Sequence, residues 1–212
     1  MLRGATFVFL ALFAVLVGGC GQPPPEGSEQ EGGSTEETTH ETTAETTTAM
    51  SSEFQGVMES YAVAHEEIEA EGGEEEAGRY RVGYIVEPAE GWWEGDPENL
   101  EWREPLSGET NHIEILPFDA QTGELVPEAE VTLTILNEEG EPVGSKPLSF
   151  YRGEFYHYAN NFSIPGSGEY TLEAEIEPPT FLRHGTEEGE GRVFTEPVTV
   201  TFQDVDIDTE GA

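Results

Sequence analysis

Five histidines are spread over 212 residues, and three of them, His112, His157 and His184, fall in stretches with strand-like alternation or turn signals. In "NHIEIL", Ile113 and Ile115 alternate with His112 and Glu114. If the isoleucines face a core, the imidazole and the carboxylate face away from it together, about 6.5 to 7 Å apart along the strand. That spacing suits two ligands of one metal, although His-x-Glu alone is a weak signal. His157 stands in "EFYHYANNFSIPGSGEY", among aromatic residues and shortly before a Pro-Gly-Ser-Gly turn, and His184 follows a di-proline loop in "EPPTFLRHG". Neutral imidazole is the commonest protein metal ligand, and its second nitrogen needs an orienting partner. Glu114, Asn160 and Asn161 are near enough in sequence to serve. Free imidazoles protonate near pH 6.5, so such a site should release metal as the pH falls through about that value. On the residues alone, packed or solvated roles for the three histidines stay open. No Gly-x-Ser-x-Gly and no His-Glu-x-x-His is present, so no catalytic role is expected.

The chain carries 45 acidic residues against 8 lysines and arginines, a net charge of -37. Like charges repel, so nucleic acid and anionic membrane surfaces are disfavoured as partners and cations are favoured. Adaptation to high salt is the bland reading of the same imbalance, because salt screens the self-repulsion of an acidic surface. "MLRGATFVFLALFAVLVGGC" has an arginine near the start, an apolar run from Phe7 to Val17 and small residues before the single cysteine, Cys20. The run is shorter than the roughly twenty residues needed to span a bilayer, so residues 1–20 are expected to be a lipoprotein signal peptide with Cys20 as the lipidated residue. One cysteine also excludes an intrachain disulfide and any multi-cysteine metal site.

Residues 21–78 are rich in Glu, Thr, Gly, Ser and Pro and are expected to be a disordered acidic linker. His40 is read there as solvated. Phe54, Met58, Tyr61 and Ile68 approximate helical spacing, which predicts one short helix near 53–70, with Ser52 and Gln55 as a capping box and His65 on its solvated side. From residue 79 the pattern changes to short alternating segments between turn signals: "RYRVGYIV", "NHIEILPF", "EVTLTILN", "GEYTLEAEI" and "EPVTVTF". This predicts an all-β, antiparallel β-sandwich of immunoglobulin-like type over residues 79–203, with an acidic tail at 204–212. Residues 87–110, with Trp92, Trp93 and Trp102, lack clear periodicity and are read as a loop whose tryptophans pack over an open end of the sandwich.

"NHIEI", "FYHYANNF", "FLRHG" and "FTEPVTVTF" resemble, in order and approximate spacing, the signature segments of the periplasmic ferrous-iron transport protein family, immunoglobulin-like metal-binding proteins of the Tpd type. The resemblance spans about residues 80 to 203. It implies His112, His157 and His184 as metal ligands with Glu114 as the associated carboxylate. The family's methionine ligand has no counterpart here, because "SKPLSFYRGEF" places Leu148 at the thioether position. A site of imidazoles with a carboxylate suits ferrous iron, manganese, zinc or cupric copper, so the divalent metal is left open. With the lipid anchor expected at Cys20, this gives an extracytoplasmic, membrane-anchored lipoprotein; the resemblance implies that it assists high-affinity iron uptake beside a membrane iron permease, and leaves a homodimer open. The rival reading is an immunoglobulin-like surface adhesion or assembly module, in which the histidines are incidental and the tryptophan-rich loop makes the contact. The distance between the imidazoles separates the two. The "NFS" sequon at Asn161 lies within the expected site and is discounted.

Overall fold

The two best alternating segments, "VTLTIL" and "EYTLEAEI", form neighbouring strands that send Val131, Leu133 and Ile135 and Tyr170, Leu172, Ala174 and Ile176 to one buried face. The chain is described by a computed structural model over residues 54–188 and 190–209. Its elements are α1 (Gln55–Glu71), β1 (Gly72–Ala77), β2 (Tyr80–Pro88), β3 (Trp92–Asp96), β4 (Asn99–Arg103), β5 (Asn111–Asp119), β6 (Val131–Leu136), β7 (Pro142–Pro147), β8 (Ser149–Arg152), β9 (Tyr156–Phe162), β10 (Gly168–Ile176) and β11 (Val198–Ile207). A five-stranded sheet, β1-β2-β5-β9-β8, packs on a four-stranded sheet, β11-β10-β6-β7, and β3 and β4 form a separate hairpin. All the pairings are antiparallel. The expected all-β sandwich is therefore present, with a core that joins Val82, Ile113 and Ile115 to Leu133, Leu172 and Phe202.

β5 is buried at every position, because both of its faces are covered. Ile113 and Ile115 enter the core between the sheets, while Leu116 and Phe118 lie in a second apolar cluster with Ile85, Phe155, and Ala64 and Ile68 of α1. Pro117 is tolerated in this central strand because the last β5-β9 pair is Ile115 with Tyr158; beyond it the Pro117 carbonyl accepts from the Val126 amide and no donor is missed.

The helix is part of the folded unit, so the boundary expected at residue 79 moves to the start of α1. Ala64 and Ile68 are buried against the sheet, Ser60 Oγ donates to the Glu154 carbonyl at 2.8 Å, and the Leu125 amide donates to Tyr61 Oη at 3.0 Å. Gly83 makes room for this contact, since a Cβ there would stand 2.5 Å from Ile68 Cδ1. Phe54 and Met58 remain exposed, and Phe54 caps the helix without a side-chain hydrogen bond; Ser52, the expected capping residue, lies outside the described residues. His65 is not simply solvated, because its ring stacks on Phe118 at 5.4 Å. β1 then continues directly into the five-stranded sheet. At the other end β11 runs to Ile207, so Asp204 and Asp206 belong to a strand rather than to an acidic tail. Truncating Ile68 to alanine should cost about 2 to 5 kcal/mol in chemical denaturation, as for other buried aliphatic side chains. A change within about 0.5 kcal/mol, typical of surface positions, would show that the helix is not packed.

Residues 87–110 differ from expectation in form. The pairing of Trp92 with Arg103 and Asp96 with Asn99 makes a hairpin closed by Pro97 and Glu98, where the Glu98 amide donates to Asp96 Oδ1 at 3.0 Å. Among the described residues no helix is long and apolar enough to cross a membrane.

Candidate metal centre

The register of β5 against β9 sets His112 opposite Asn161 and Glu114 opposite Ala159, on the outer face of the five-stranded sheet. The small Ala159 side chain leaves space over Glu114, and His157, two residues back along β9, shares that face. Tyr151 of β8 lies opposite His157. His112, Glu114 and His157 are 2%, 4% and 7% exposed, and they offer ligand atoms all within 4.8 Å of one another. His157 Nε2 is 3.4 Å and His112 Nε2 is 3.9 Å from the same oxygen, Glu114 Oε1. Donors bonded to one metal at about 2.0 to 2.2 Å stand about 3 to 3.5 Å apart, so small movements close this group on an ion. Glu114 Oε2 and His157 Nδ1 are buried without hydrogen-bond partners. Buried polar groups are rarely left so, and a cation would engage the carboxylate.

A chain of hydrogen bonds orients His112. Asn161 Oδ1 accepts from the Glu90 amide at 3.2 Å, and Asn161 Nδ2 donates to the Glu90 carbonyl at 2.7 Å and to Glu109 Oε2 at 3.3 Å. The amide orientation being fixed, Nδ1–H of His112 donates to Asn161 Oδ1 at 2.8 Å. The lone pair therefore sits on Nε2, toward Glu114. Burial alone would raise Glu109, but hydrogen bonds from Arg103, the Leu106 amide and Asn161 hold its carboxyl down at about 2. Arg103 grips both Glu109 oxygens, at 2.9 and 3.0 Å, and lies over the Trp92 ring at 3.9 Å. The one lysine, Lys146, donates to the Asn161 carbonyl at 2.6 Å.

Burial shifts both kinds of group toward their neutral forms. Burial, with Glu87, Glu67 and Glu90 nearby, pushes the Glu114 carboxyl up to about 8. Burial and the neighbouring His112 push the His157 imidazole down to about 4, and burial lowers His112 as well. At neutral pH the empty cluster thus consists of two neutral imidazoles, ready to bind, and a carboxyl that must release a proton first. Glu67, Glu87 and Glu90 are themselves raised, chiefly by burial, so the surroundings favour an added cation.

The cluster opens on a cleft of about 490 Å³ whose walls include Trp92, Trp93, Trp102 and Tyr151, with His112 and His157 at its base. Trp92 packs beside the site, 6.3 Å from the His112 ring and 5.5 Å from Tyr151. Trp93 and Trp102 stand at the rim, 63% and 47% exposed. Tyr151, stacked on His157 at 5.6 Å, was missed in the sequence. Alternation in "SFYR" was its only signal.

Three expected site residues fall elsewhere. His184 lies exposed on the loop between β10 and β11. That loop is held by Arg183, which donates to the Phe194 carbonyl at 2.7 Å, and Phe194 packs on Tyr80 at 4.7 Å. Tyr80 pairs with Asp119, seven residues from His112 along β5. At strand rise this is about 23 Å, so one chain does not bring His184 to the cluster. Asn160 points away from the site and donates to the Pro147 carbonyl at 3.0 Å. Leu148 packs against the core between the sheets rather than facing His157.

A family model described as Fe2+ transport protein matches residues 109–208, the stretch from β5 to β11 that holds the cluster. No curated protein matches the chain. Among solved structures, FetP of uropathogenic Escherichia coli in its as-isolated form is 21% identical over 65% of this chain and 96% of that one, with a TM-score of 0.49. A copper-bound glutamate-to-glutamine variant of the same protein is 19% identical over 66% and 94%, with a TM-score of 0.50. A copper-reconstituted protein of Campylobacter jejuni is 20% identical over 64% and 94%, with a TM-score of 0.49. At these identities the likeness is one of fold.

Proposed function

We propose that this chain, whose residues 109–208 match the model of the Fe2+ transport protein family, captures a divalent metal, ferrous iron above all, at His112, Glu114 and His157 and passes it to a membrane iron permease. The observation that carries this reading is the convergence of two buried imidazole Nε2 atoms on one buried carboxylate oxygen. Two histidines and one carboxylate, with further positions open to a cleft, are the donor set of non-haem ferrous sites, and they suit manganese and zinc as well. Without a sulfur donor the set is a poor match to cuprous copper. The metal is cargo: neutral imidazoles receive it, Glu114 lowers its net charge by giving up a proton, and the cleft leaves a way out. No catalytic step is part of this reading.

The proposal includes an extracytoplasmic location, a lipid anchor on Cys20 and a homodimer, the last to be measured by sedimentation. Cys20 lies outside the described residues. Cys20→Ser should move the full chain from the membrane fraction to the soluble fraction; unchanged membrane association would remove the anchor from the account.

The function is tested by metal analysis of protein purified without a histidine tag and dialysed against each candidate ion. One tightly held divalent ion per chain is expected. Failure to retain any would favour the adhesion module, whose support is the exposed Trp93 and Trp102 at the cleft rim.

A further inference from the structure

The cleft over the histidine cluster is larger than a metal ion needs. Its volume of about 490 Å³ falls within the roughly 300 to 1,000 Å³ of sites that hold small organic molecules, whereas one water takes about 30 Å³. His112 and His157 line it and Glu114 does not, so the carboxylate closes the bottom of the cluster and an ion held there faces the cleft. Two imidazoles and one carboxylate occupy about half the positions of a six-coordinate ion and leave the rest open on that side.

The walls are aromatic and held in place. The Trp92 ring lies against Arg103, whose guanidinium is gripped by Glu109. The Trp102 ring lies on the backbone of Gly91, where a Cβ would stand 2.5 Å from Trp102 Cζ2, and Trp93 meets Trp102 edge-on at 5.5 Å. Both rim tryptophans are nonetheless exposed. Rings that are fixed and yet exposed offer stacking surface at little cost in side-chain ordering. A hydrated ion is solvated by oxygen donors, and indole rings provide none. The charged side chains on the lining besides the histidines are Glu90, Glu94 and Arg152, on a chain of net charge -37, which disfavours a polyanionic guest.

Resting on the metal reading above, we propose that the cleft receives the divalent metal as a chelate. The cluster supplies three donors, and a small, flat, uncharged chelator with aromatic nitrogen donors displaces water from the remaining positions while its rings pack against Trp93 and Trp102. The substrate class is thus a chelated ion rather than a hydrated one. Chelators such as citrate, with several negative charges and no ring to stack, are rejected on both counts.

The test is equilibrium dialysis of the full chain with zinc, which is redox-silent, and α,α′-bipyridyl. The zinc-loaded chain should retain about one bipyridyl per zinc ion, and the zinc-free chain none. Trp93→Ala and Trp102→Ala should each weaken that retention by about tenfold or more, as loss of one stacked aromatic side chain does elsewhere, with zinc alone bound as in the parent. Unchanged zinc binding reports that the cluster is intact, and Trp93, the more exposed of the two, carries the test if loss of Trp102 loosens the hairpin. Citrate should withdraw zinc without being retained. Zinc retained with bipyridyl excluded, citrate retained as tightly as bipyridyl, or equal retention of bipyridyl in the parent and both tryptophan variants overturns the chelate proposal and leaves the metal reading intact. A parent that retains no zinc overturns the metal reading and this inference with it.

Discussion

Alanine in place of His157 should weaken binding of ferrous iron, manganese and zinc by more than about 100-fold. Loss of a partner that merely orients a ligand already costs about 10- to 100-fold, and here a ligand itself is removed. His157 is one of only two imidazoles in the cluster, and its Nε2 lies 3.4 Å from Glu114 Oε1. A parent held at 100 times its Kd gains about 2.7 kcal/mol from the metal, and the variant should gain almost none. Metal-free stability should change much less. Truncation leaves a gap beside Tyr151 and Phe155, whose rings are 5.6 and 5.4 Å from His157, but it also removes the unpartnered Nδ1. A ring present only for packing would reverse this pattern, with metal-induced stabilisation retained and a metal-free loss of about 1 to 3 kcal/mol.

Proton release is the second large effect, and it belongs to Glu114. With its carboxyl at about 8, Glu114 is largely protonated in the empty protein at pH 7. Metal binding there should expel close to one proton, and affinity should fall about tenfold for each unit of pH from 8 down to 5. The sequence-based expectation of a fall through about 6.5 changes because burial and His112 hold the His157 imidazole at about 4. Stability of the metal-free protein follows the same residue. A carboxyl raised in the folded state contributes stability that is fully present below its unfolded pKa of about 4.3 and lost as pH rises through about 8. The empty protein should therefore become less stable between pH 6.5 and 8, and saturating metal, by keeping Glu114 ionised, should remove that loss. Glu114→Gln should abolish proton release, measured by calorimetry in buffers of different ionisation enthalpy. Equal release from parent and variant would assign the proton elsewhere.

Much of this site was legible because β5 keeps a strict period of two. Ile113 and Ile115 enter the core, so His112 and Glu114 had to share the other face. Asn161 was named together with Asn160 from nearness in the chain alone, and only the pairing of β9 with β5 separates the two. Leu148 was misplaced by a single residue of phase: Tyr151 pairs with His157 and Phe150 with Tyr158, so the position facing the cluster is odd-numbered in β8. A one-residue slip moves a side chain to the opposite face. His184 could not be placed from its order in the chain, because nothing in "FLRHG" tells which end of the sandwich a loop will close. The helix was readable in outline but not in its packing, since Ala64 supplies one of its two buried contacts and is a faint signal beside the exposed Phe54 and Met58. The hairpin of β3 and β4 hid for a related reason: Trp93, Leu100 and Trp102 stay exposed, so no buried face imposes an alternation. Glu109 and Lys146 reach the cluster through Asn161, and Arg103 through Glu109 and Trp92; links of that kind leave no spacing to read.

The central claim is that His112, Glu114 and His157 hold one metal ion, and anomalous diffraction from crystals of the full chain loaded with ferrous iron or manganese tests it most directly. The account predicts one strong peak bonded to Nε2 of both histidines and to a Glu114 oxygen at about 2.0 to 2.2 Å. Loaded crystals with the metal elsewhere and no peak between these three side chains would contradict it.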